Sequence, residues 1–356
     1  MTMQTARGED KKSRNWQWLF NAVLLIGAIT FAVILFEVVL HVLRPQIQYT
    51  YMPQDIVISH FQPSSFLPAE LRPNYRSRFK MLEFDTIVTT NRFGLRDEEV
   101  DFSRPRILCL GDSYTFGYGV ENDETFCALL ERRFGKKYDF VNVGFADGFS
   151  PDSYALWLAK YKGTFDPTAI IVSLFPNDFD EVSSNIWYRN GRIMREDDPG
   201  LPDKIVKPHV IVTPDGNLMR DNFMARMPVL VRRLLRNSYL VALIRDRLLD
   251  DAQTTVAHDS DAKPDNRKFL HALEMLHTAA GDRLLAFYFM GWPGQTAPLP
   301  TDELAMKFAA THHIAVFSNY QDFSSQEFLM LDPHWNRLGH QKAADYLYSA
   351  LSSLGL

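Results

Sequence analysis

The chain has 356 residues, 46% of them hydrophobic and 13% aromatic, which is enough to bury one large core with an inserted or appended piece. Its net charge of −5 and pI of about 6.1 argue against a nucleic-acid-binding surface. It has two cysteines, no Cys-x-x-Cys pair and no close His/Cys cluster, so no structural zinc site is indicated. Cys109 lies in a predicted strand and Cys127 in the following helix, and we expect two buried thiols rather than a disulfide.

An uncharged, mostly apolar run covers residues 15–36. As a helix, a segment of this length would span roughly 33 Å, enough for a bilayer core. Lys11, Lys12 and Arg14 precede the run and favour a cytoplasmic N-terminus. A cleaved signal peptide is the alternative, but the run is long and lacks a small-residue cleavage pattern at its end. We predict a cytoplasmic segment at 1–14 and an uncleaved transmembrane anchor at 15–43.

Residues 44–100 form a predicted lead-in to the main domain. The lead-in is rich in proline up to about residue 80, and residues 79–90 alternate well enough for one or two antiparallel strands. A turn follows at 91–96, where we expect Arg96 to form a structural salt bridge.

Residues 101–356 alternate between apolar strands and amphipathic helices, with an insertion at 180–264. The predicted strands cover residues 106–110, 138–143, 168–174, 283–290 and 314–317, and the predicted helices cover 123–134, 151–161, 266–280, 301–312 and 337–354. Continuous apolar strands separated by helices predict a parallel sheet that is covered on both faces. We therefore expect an α/β fold, a flavodoxin-like three-layer α/β/α sandwich with a five-stranded parallel sheet. Its site should lie at the carboxyl ends of the strands.

The insertion contains a predicted hairpin at 210–219, with Pro-Asp-Gly as its turn, and a basic amphipathic helix at 227–249. That helix could lie on anionic lipid. We favour a different arrangement, in which leucines such as Leu234 pack on the sheet and arginines such as Arg232 form a solvated face. The polar residues 250–264 are predicted to form a loop.

The first strand of this domain ends abruptly at Gly111-Asp112-Ser113. A serine at a strand-to-helix turn can use its own backbone N–H as one donor of an oxyanion hole. The same tripeptide is also an ordinary turn and helix N-cap, and a serine hydroxyl is a weak nucleophile without a base. The rest of the chain therefore has to supply the other groups.

Three further motifs follow in chain order. Gly144 ends the second predicted strand, Asn177 ends the third, and Asp332-Pro333-His334 precedes the last helix. Together with the Ser113 motif, they resemble the four sequence blocks of the SGNH, or GDSL-type, hydrolase superfamily. The segments 91–96 and 334–340 resemble its membrane-tethered bacterial members.

The resemblance implies a role for each of these residues. The implied catalytic residues are Ser113 as nucleophile, His334 as general base and Asp332 as the acid that orients it; the implied oxyanion hole consists of Ser113, Gly144 and Asn177. In this chain the acid stands two residues before the histidine, whereas three is a common family spacing. No cofactor and no metal are implied.

Three neighbouring groups have simpler predicted roles. His340 is the alternative base, but it falls inside the last helix, so we expect it to be structural. Asp112 and Asp178 are expected to hold the turns in place. The pair His312 and His313 is expected to lie on the surface.

The function implied by the resemblance is hydrolysis of carboxylic esters, acetyl or short acyl, on a polysaccharide, through an acyl-serine intermediate. The implied location is a bacterial inner membrane, with the catalytic domain periplasmic or extracellular. The expected partners are an acylated glycan or other ester substrate and the membrane, but no nucleic acid. An O-acyltransferase acting on an envelope or exported glycan, and a catalytically silent glycan-binding or scaffold protein, remain open alternatives.

Overall fold

The computed structural model describes residues 6–43, 60–81, 83–145, 149–236, 238–241, 243–244, 266–330 and 332–356, with backbone alone at 6–15, 233 and 236. The chain forms two compact units. One combines Met1–Pro53 with Arg233–Ser260, and the other combines Gln54–Arg232 with Asp261–Leu356.

The first unit is built on a long helix, Ala6–Leu43. The portion Trp16–Leu43, 28 residues, is long and apolar enough to cross a membrane. It extends seven residues beyond the predicted apolar run because Glu37 and His41 interrupt the hydrophobicity but not the helix. A signal sequence near the N-terminus can have the same length and apolar composition.

Glu37 links this helix to a second segment of the same unit. Its carboxylate accepts hydrogen bonds from the Ser238 hydroxyl at 2.9 Å and from the backbone N–H groups of Tyr239 at 2.7 Å and Leu240 at 3.0 Å. These backbone donors belong to the start of a helical stretch that would otherwise lack acceptors. Glu37 therefore acts as a cap supplied from a distant part of the sequence.

All of the β-structure in the described residues lies in the second unit. Its strands are β1 Phe61–Gln62, β2 Glu70–Leu71, β3 Arg76–Lys80, β4 Asp85–Thr89, β5 Arg106–Gly111, β6 Asp139–Gly144, β7 Ala169–Leu174, β8 Ile186–Arg189, β9 Arg192–Ile193, β10 Lys204–Val206, β11 Val210–Val212, β12 Leu218–Arg220, β13 Leu284–Phe289 and β14 Ala315–Ser318. Its helices include Ser113–Phe116, Phe126–Arg133, Pro151–Phe165, Asn177–Ser184, Phe223–Arg226, Asn266–Ala280, Pro300–Thr311 and Arg337–Ser353, with 3-10 turns at Asn122–Glu124, Tyr320–Asp322 and Ser325–Glu327. Val229–Arg236 is a helix at the boundary between the units.

The main sheet confirms the predicted fold class. Its five strands are parallel and lie in the order β14-β13-β7-β5-β6, which is the flavodoxin-like order. Consecutive residues of β5, such as Ile107 and Leu108, are both fully buried although their side chains point to opposite faces. Both faces of the sheet are therefore covered, as in a three-layer sandwich.

The remaining strands form small antiparallel sheets, some of which were predicted and some not. The lead-in forms the antiparallel hairpin β3–β4, and the insertion forms the predicted hairpin β11–β12. A three-stranded antiparallel sheet, β10-β8-β9, was not predicted. Its strands of two to four residues are too short to give a recognisable alternation. The two cysteines are buried free thiols, as expected.

The predicted basic helix at 227–249 is wrong in its extent and in its orientation. The structure begins the helix at Val229, ends it at Arg236, leaves Ser238 non-helical and is helical again at 239–241 and 243–244. Residues 245–249 of the predicted helix and the predicted loop at 250–264 lie outside the described residues. Arg232 is 1% exposed, donates to the Ala225 carbonyl at 2.8 Å and pairs with Asp215 of the hairpin turn, while Leu234 is 65% exposed. A buried guanidinium needs hydrogen-bond acceptors and a paired anion, and the Ala225 carbonyl and Asp215 provide them here.

Candidate active site

The main sheet places Ser113 at its carboxyl edge. Strand β5 ends at Gly111, Asp112 caps the next helix by accepting a hydrogen bond from the Tyr114 N–H at 3.0 Å, and Ser113 is the first helical residue. The helix lasts one turn and stops at Gly117, whose left-handed φ of 87° suits a residue without a Cβ. The serine is thus held between a buried strand and a tightly capped turn.

His334 lies directly against this serine, 221 positions later in the sequence. The Ser113 Oγ to His334 Nε2 distance is 2.7 Å, which is within hydrogen-bonding range. Asp332 Oδ1 is hydrogen-bonded to His334 Nδ1 and also accepts the His334 backbone N–H at 3.0 Å. An Nδ1–H directed at the carboxylate leaves the Nε2 lone pair facing the hydroxyl, which is the tautomer that a general base requires.

Asp332 reaches the imidazole despite standing two residues before it. Pro333 occupies the intervening position, and its carbonyl accepts a hydrogen bond from the Tyr114 hydroxyl. This bond links the Asp332–His334 segment to the helix Ser113–Phe116, the serine helix. The side chains of Asp332 and His334 are 13% and 19% exposed, so the pair is largely shielded from water. The unusual spacing is therefore compatible with an oriented Asp–His pair.

Two tyrosines that the sequence analysis did not single out enclose the histidine. The Tyr118 ring stacks on the His334 ring with centroids 4.3 Å apart, and the Tyr114 ring lies 4.9 Å from it. Both follow the nucleophile closely, at the next position and five positions on. That proximity is the signal that could have identified them.

Gly144 lies at the end of β6, directly opposite Gly111 of β5 in the strand register. A Cβ at Gly144 would lie 2.0 Å from the backbone nitrogen of Phe116, so the glycine allows the serine helix to approach the sheet. Its own N–H donates to Asn142 Oδ1 at 2.9 Å. The packing role is evident from these distances, whereas an oxyanion role would require this N–H to exchange its acceptor.

Asn177 follows β7 and is the first residue of the helix Asn177–Ser184. Its Oδ1 is buried and has no hydrogen-bond partner within the described part of the chain. This oxygen is an open acceptor, whereas the oxyanion role would use the N–H donors of the same amide. Its predicted role as an oxyanion donor stays a prediction.

The two aspartates next to these motifs hold turns, as expected. Asp178 accepts hydrogen bonds from the Phe175 N–H at 2.8 Å and the Tyr154 hydroxyl at 2.9 Å. Burial raises the pKa of Asp112 to about 6, and burial together with the charge of Asp112 raises the pKa of Asp178 well above its usual range.

His340, the alternative base, is used by the fold. It is 1% exposed, and its Nδ1 accepts the backbone N–H of Phe126 at 3.2 Å. Burial lowers its pKa to about 3, so the imidazole is neutral over the physiological range. Its position supports the predicted structural role.

Arg96 ties down the segment that follows the serine helix. Its guanidinium is 1% exposed and donates to the Phe116 carbonyl at 2.8 Å, to Asn122 Oδ1 at 2.9 Å, and to the carbonyls of Gly117 and Val120. The predicted salt bridge is wrong: within the described residues no carboxylate lies within ion-pair distance of Arg96. Backbone carbonyls at the end of a short helix provide the acceptors instead.

We expect Arg96→Lys to destabilise the protein by about 2–4 kcal/mol, because a lysine has one nitrogen and cannot reach four separate buried acceptors. We also expect a lower kcat, because Tyr118, which stacks on His334, lies in the segment that Arg96 holds. Urea denaturation measures the first effect and ester hydrolysis the second. Arg92→Lys is the control, since that exposed side chain belongs to the same turn. Equal denaturation midpoints for Arg96→Lys and the parent would contradict this account.

Comparisons with known proteins were made for the whole chain. No family model and no curated protein matches it. Solved structures do: an alpha/beta hydrolase enzyme from the metagenome of Lake Arreo, Spain, is 13% identical with a TM-score of 0.38, and the match covers 69% of this chain and 94% of that one.

Two other similar structures have comparable scores. A protein described as lipolytic and of the G-D-S-L family, from Desulfitobacterium hafniense, is 11% identical with a TM-score of 0.34, covering 69% of this chain and 99% of that one. An acetyl xylan esterase from Butyrivibrio proteoclasticus is 15% identical with a TM-score of 0.35, covering 72% and 66%.

Proposed function

We propose that this chain is a membrane-anchored serine esterase of the SGNH type that hydrolyses carboxylic esters outside the cytoplasm. The observation that carries the proposal is the hydrogen-bonded series Ser113 Oγ, His334 Nε2 and Nδ1, and Asp332 Oδ1. A hydroxyl, a base and an orienting carboxylate in this order are what nucleophilic acyl transfer requires. The rings of Tyr114 and Tyr118 pack against the imidazole and help to hold its orientation.

In the proposed reaction, Ser113 Oγ attacks the ester carbonyl while His334 takes its proton. The tetrahedral intermediate then collapses, the carbon–oxygen bond to the alcohol breaks, and His334 returns the proton to the leaving alkoxide. A water molecule, activated by His334, cleaves the acyl-serine by the same steps and releases the carboxylic acid. The proposed donors to the oxyanion are the Ser113 N–H, the Gly144 N–H and the Asn177 side-chain amide.

We further propose that the helix Ala6–Leu43 stays attached to the mature protein as a signal-anchor in a bacterial inner membrane, with its N-terminus in the cytoplasm. The length and apolar composition of Trp16–Leu43 support a span. The hydrogen bonds from Ser238, Tyr239 and Leu240 to Glu37 support its retention, because cleavage of the helix would remove this cap. The substrate we propose is a short-acyl ester, most simply an acetyl ester, on an envelope or exported polysaccharide.

The test uses the full-length chain in detergent micelles, with p-nitrophenyl acetate as substrate and a fluorophosphonate as covalent probe. We expect turnover of the ester, and mass spectrometry should find the probe on the peptide that contains Ser113. Heat-unfolded protein is the control, since the reactivity depends on the folded triad. A parent that neither turns over the ester nor labels at Ser113 would overturn the proposal.

A second measurement separates hydrolysis from transfer. The full-length chain is incubated with the acyl donor and an unacylated glycan, and both free acetate and acylated glycan are quantified. Free acetate as the dominant product supports the esterase, whereas acyl glycan as the dominant product would replace it with an acyltransferase. The intact mass of the membrane-extracted protein tests whether residues 1–43 are retained.

A further inference from the structure

Two helices of the outer layer bring a glutamate and two histidines together. Glu274 and His277 are one turn apart on the helix Asn266–Ala280, and His312 is the residue that caps the helix Pro300–Thr311. Their ligand atoms all lie within 4.8 Å of one another. Glu274 is exposed and both histidines are partly buried, so the group is open to solvent on one side.

The separations match those of a zinc coordination sphere. Two ligand atoms on a tetrahedral zinc ion with bonds of 2.0–2.1 Å lie about 3.4 Å apart, and His312 Nε2 lies 3.6 Å from Glu274 Oε2. Two imidazoles on one such ion have ring centroids about 5 Å apart, and the rings of His277 and His312 lie 4.7 Å apart at 62°. The other ligand atoms, which lie within 4.8 Å, would have to approach to similar separations around a bound ion.

The surroundings favour a cation. His277 lies in the last turn of its helix and His312 directly follows the end of the other, so the negative ends of two helix dipoles meet at the group. Within the described residues neither imidazole forms a hydrogen bond, and His312 is held in place by the Phe308 ring at 4.2 Å. Apart from the contact between His312 Nε2 and Glu274, no polar contact within the described residues competes with a metal for these ring nitrogens.

We propose that Glu274, His277 and His312 bind a divalent transition-metal ion, with zinc as the best fit, and that the ion links the two helices. Two imidazoles and a carboxylate form a ligand set that suits zinc, copper, nickel or cobalt rather than magnesium or calcium. Water would occupy the remaining position, since three protein ligands leave a tetrahedral site open. This site is separate in its residues from Ser113, His334 and Asp332.

The test is metal titration of the untagged full-length chain in detergent, after treatment with EDTA and dialysis. We expect one Zn²⁺ per chain by calorimetry, visible absorption bands of tetrahedral Co²⁺ that Zn²⁺ abolishes, and a melting temperature raised by a few degrees with saturating Zn²⁺. Mg²⁺ should produce none of these effects. His277→Ala and His312→Ala should each weaken Zn²⁺ binding by more than about tenfold.

His313→Asn is the matched control. This histidine neighbours the group without belonging to it, and asparagine tolerates its left-handed φ of 55°. It should bind Zn²⁺ as the parent does. The proposal is overturned if the parent shows no stoichiometric Zn²⁺ binding, or if the two alanine variants, folded by circular dichroism, bind as tightly as His313→Asn.

Discussion

Ser113→Ala and His334→Ala are each expected to lower kcat for ester hydrolysis by roughly 10⁴- to 10⁶-fold. In the proposed reaction the serine supplies the atom that becomes acylated, and without the imidazole 2.7 Å away its hydroxyl would keep its proton at neutral pH. The two groups act as one unit, so the double variant should be no slower than either single variant. The measurement is kcat with p-nitrophenyl acetate, accompanied by a thermal unfolding curve for each variant.

The thermal curves decide how a loss of activity is interpreted. Neither side chain is part of the buried core, so both variants should unfold within a few degrees of the parent. Retention of more than about one hundredth of the parent rate by folded Ser113→Ala would show that another residue attacks the ester. A double variant much slower than both single variants would show that the two residues act independently.

Gly144→Ala is expected to destabilise the catalytic unit by more than about 3 kcal/mol. The added Cβ would lie 2.0 Å from the Phe116 nitrogen and 2.4 Å from its Cα, both of which are backbone atoms that cannot rotate away. The helix that carries Ser113 would have to move away from the sheet, so activity should fall together with stability. Denaturant unfolding measures this effect.

Gly163→Ala is the matched control for this substitution. Gly163 lies within the helix Pro151–Phe165, and a Cβ there would meet nothing within 4 Å. The same change should therefore be neutral, or stabilise the protein by about 0.5–1 kcal/mol through helix propensity. Gly144→Ala with parental stability would contradict the packing account.

The sequence by itself determined the α/β class, the five parallel strands and the order of the four motifs. Strands such as 106–111 and 169–174 are continuous apolar runs bounded by polar turns, and this local pattern is a direct consequence of burial on both faces. The helix 266–280 was predicted with its observed bounds because its hydrophobic residues repeat at the helical period. These features depend on residues that are close together in the chain.

Only the tertiary structure decided which distant groups meet. Arg96 binds carbonyls instead of a carboxylate, Arg232 is buried instead of solvated, and the helix predicted at 227–249 is interrupted. The approach of His277 to His312 joins two helices separated by a strand, and nothing in the local spacing indicates it. Hydrophobic periodicity shows which face of an element is buried, but it carries no information about which polar group from another element will face it. That pairing depends on how the elements pack, because buried polar groups take the partners that packing brings within reach.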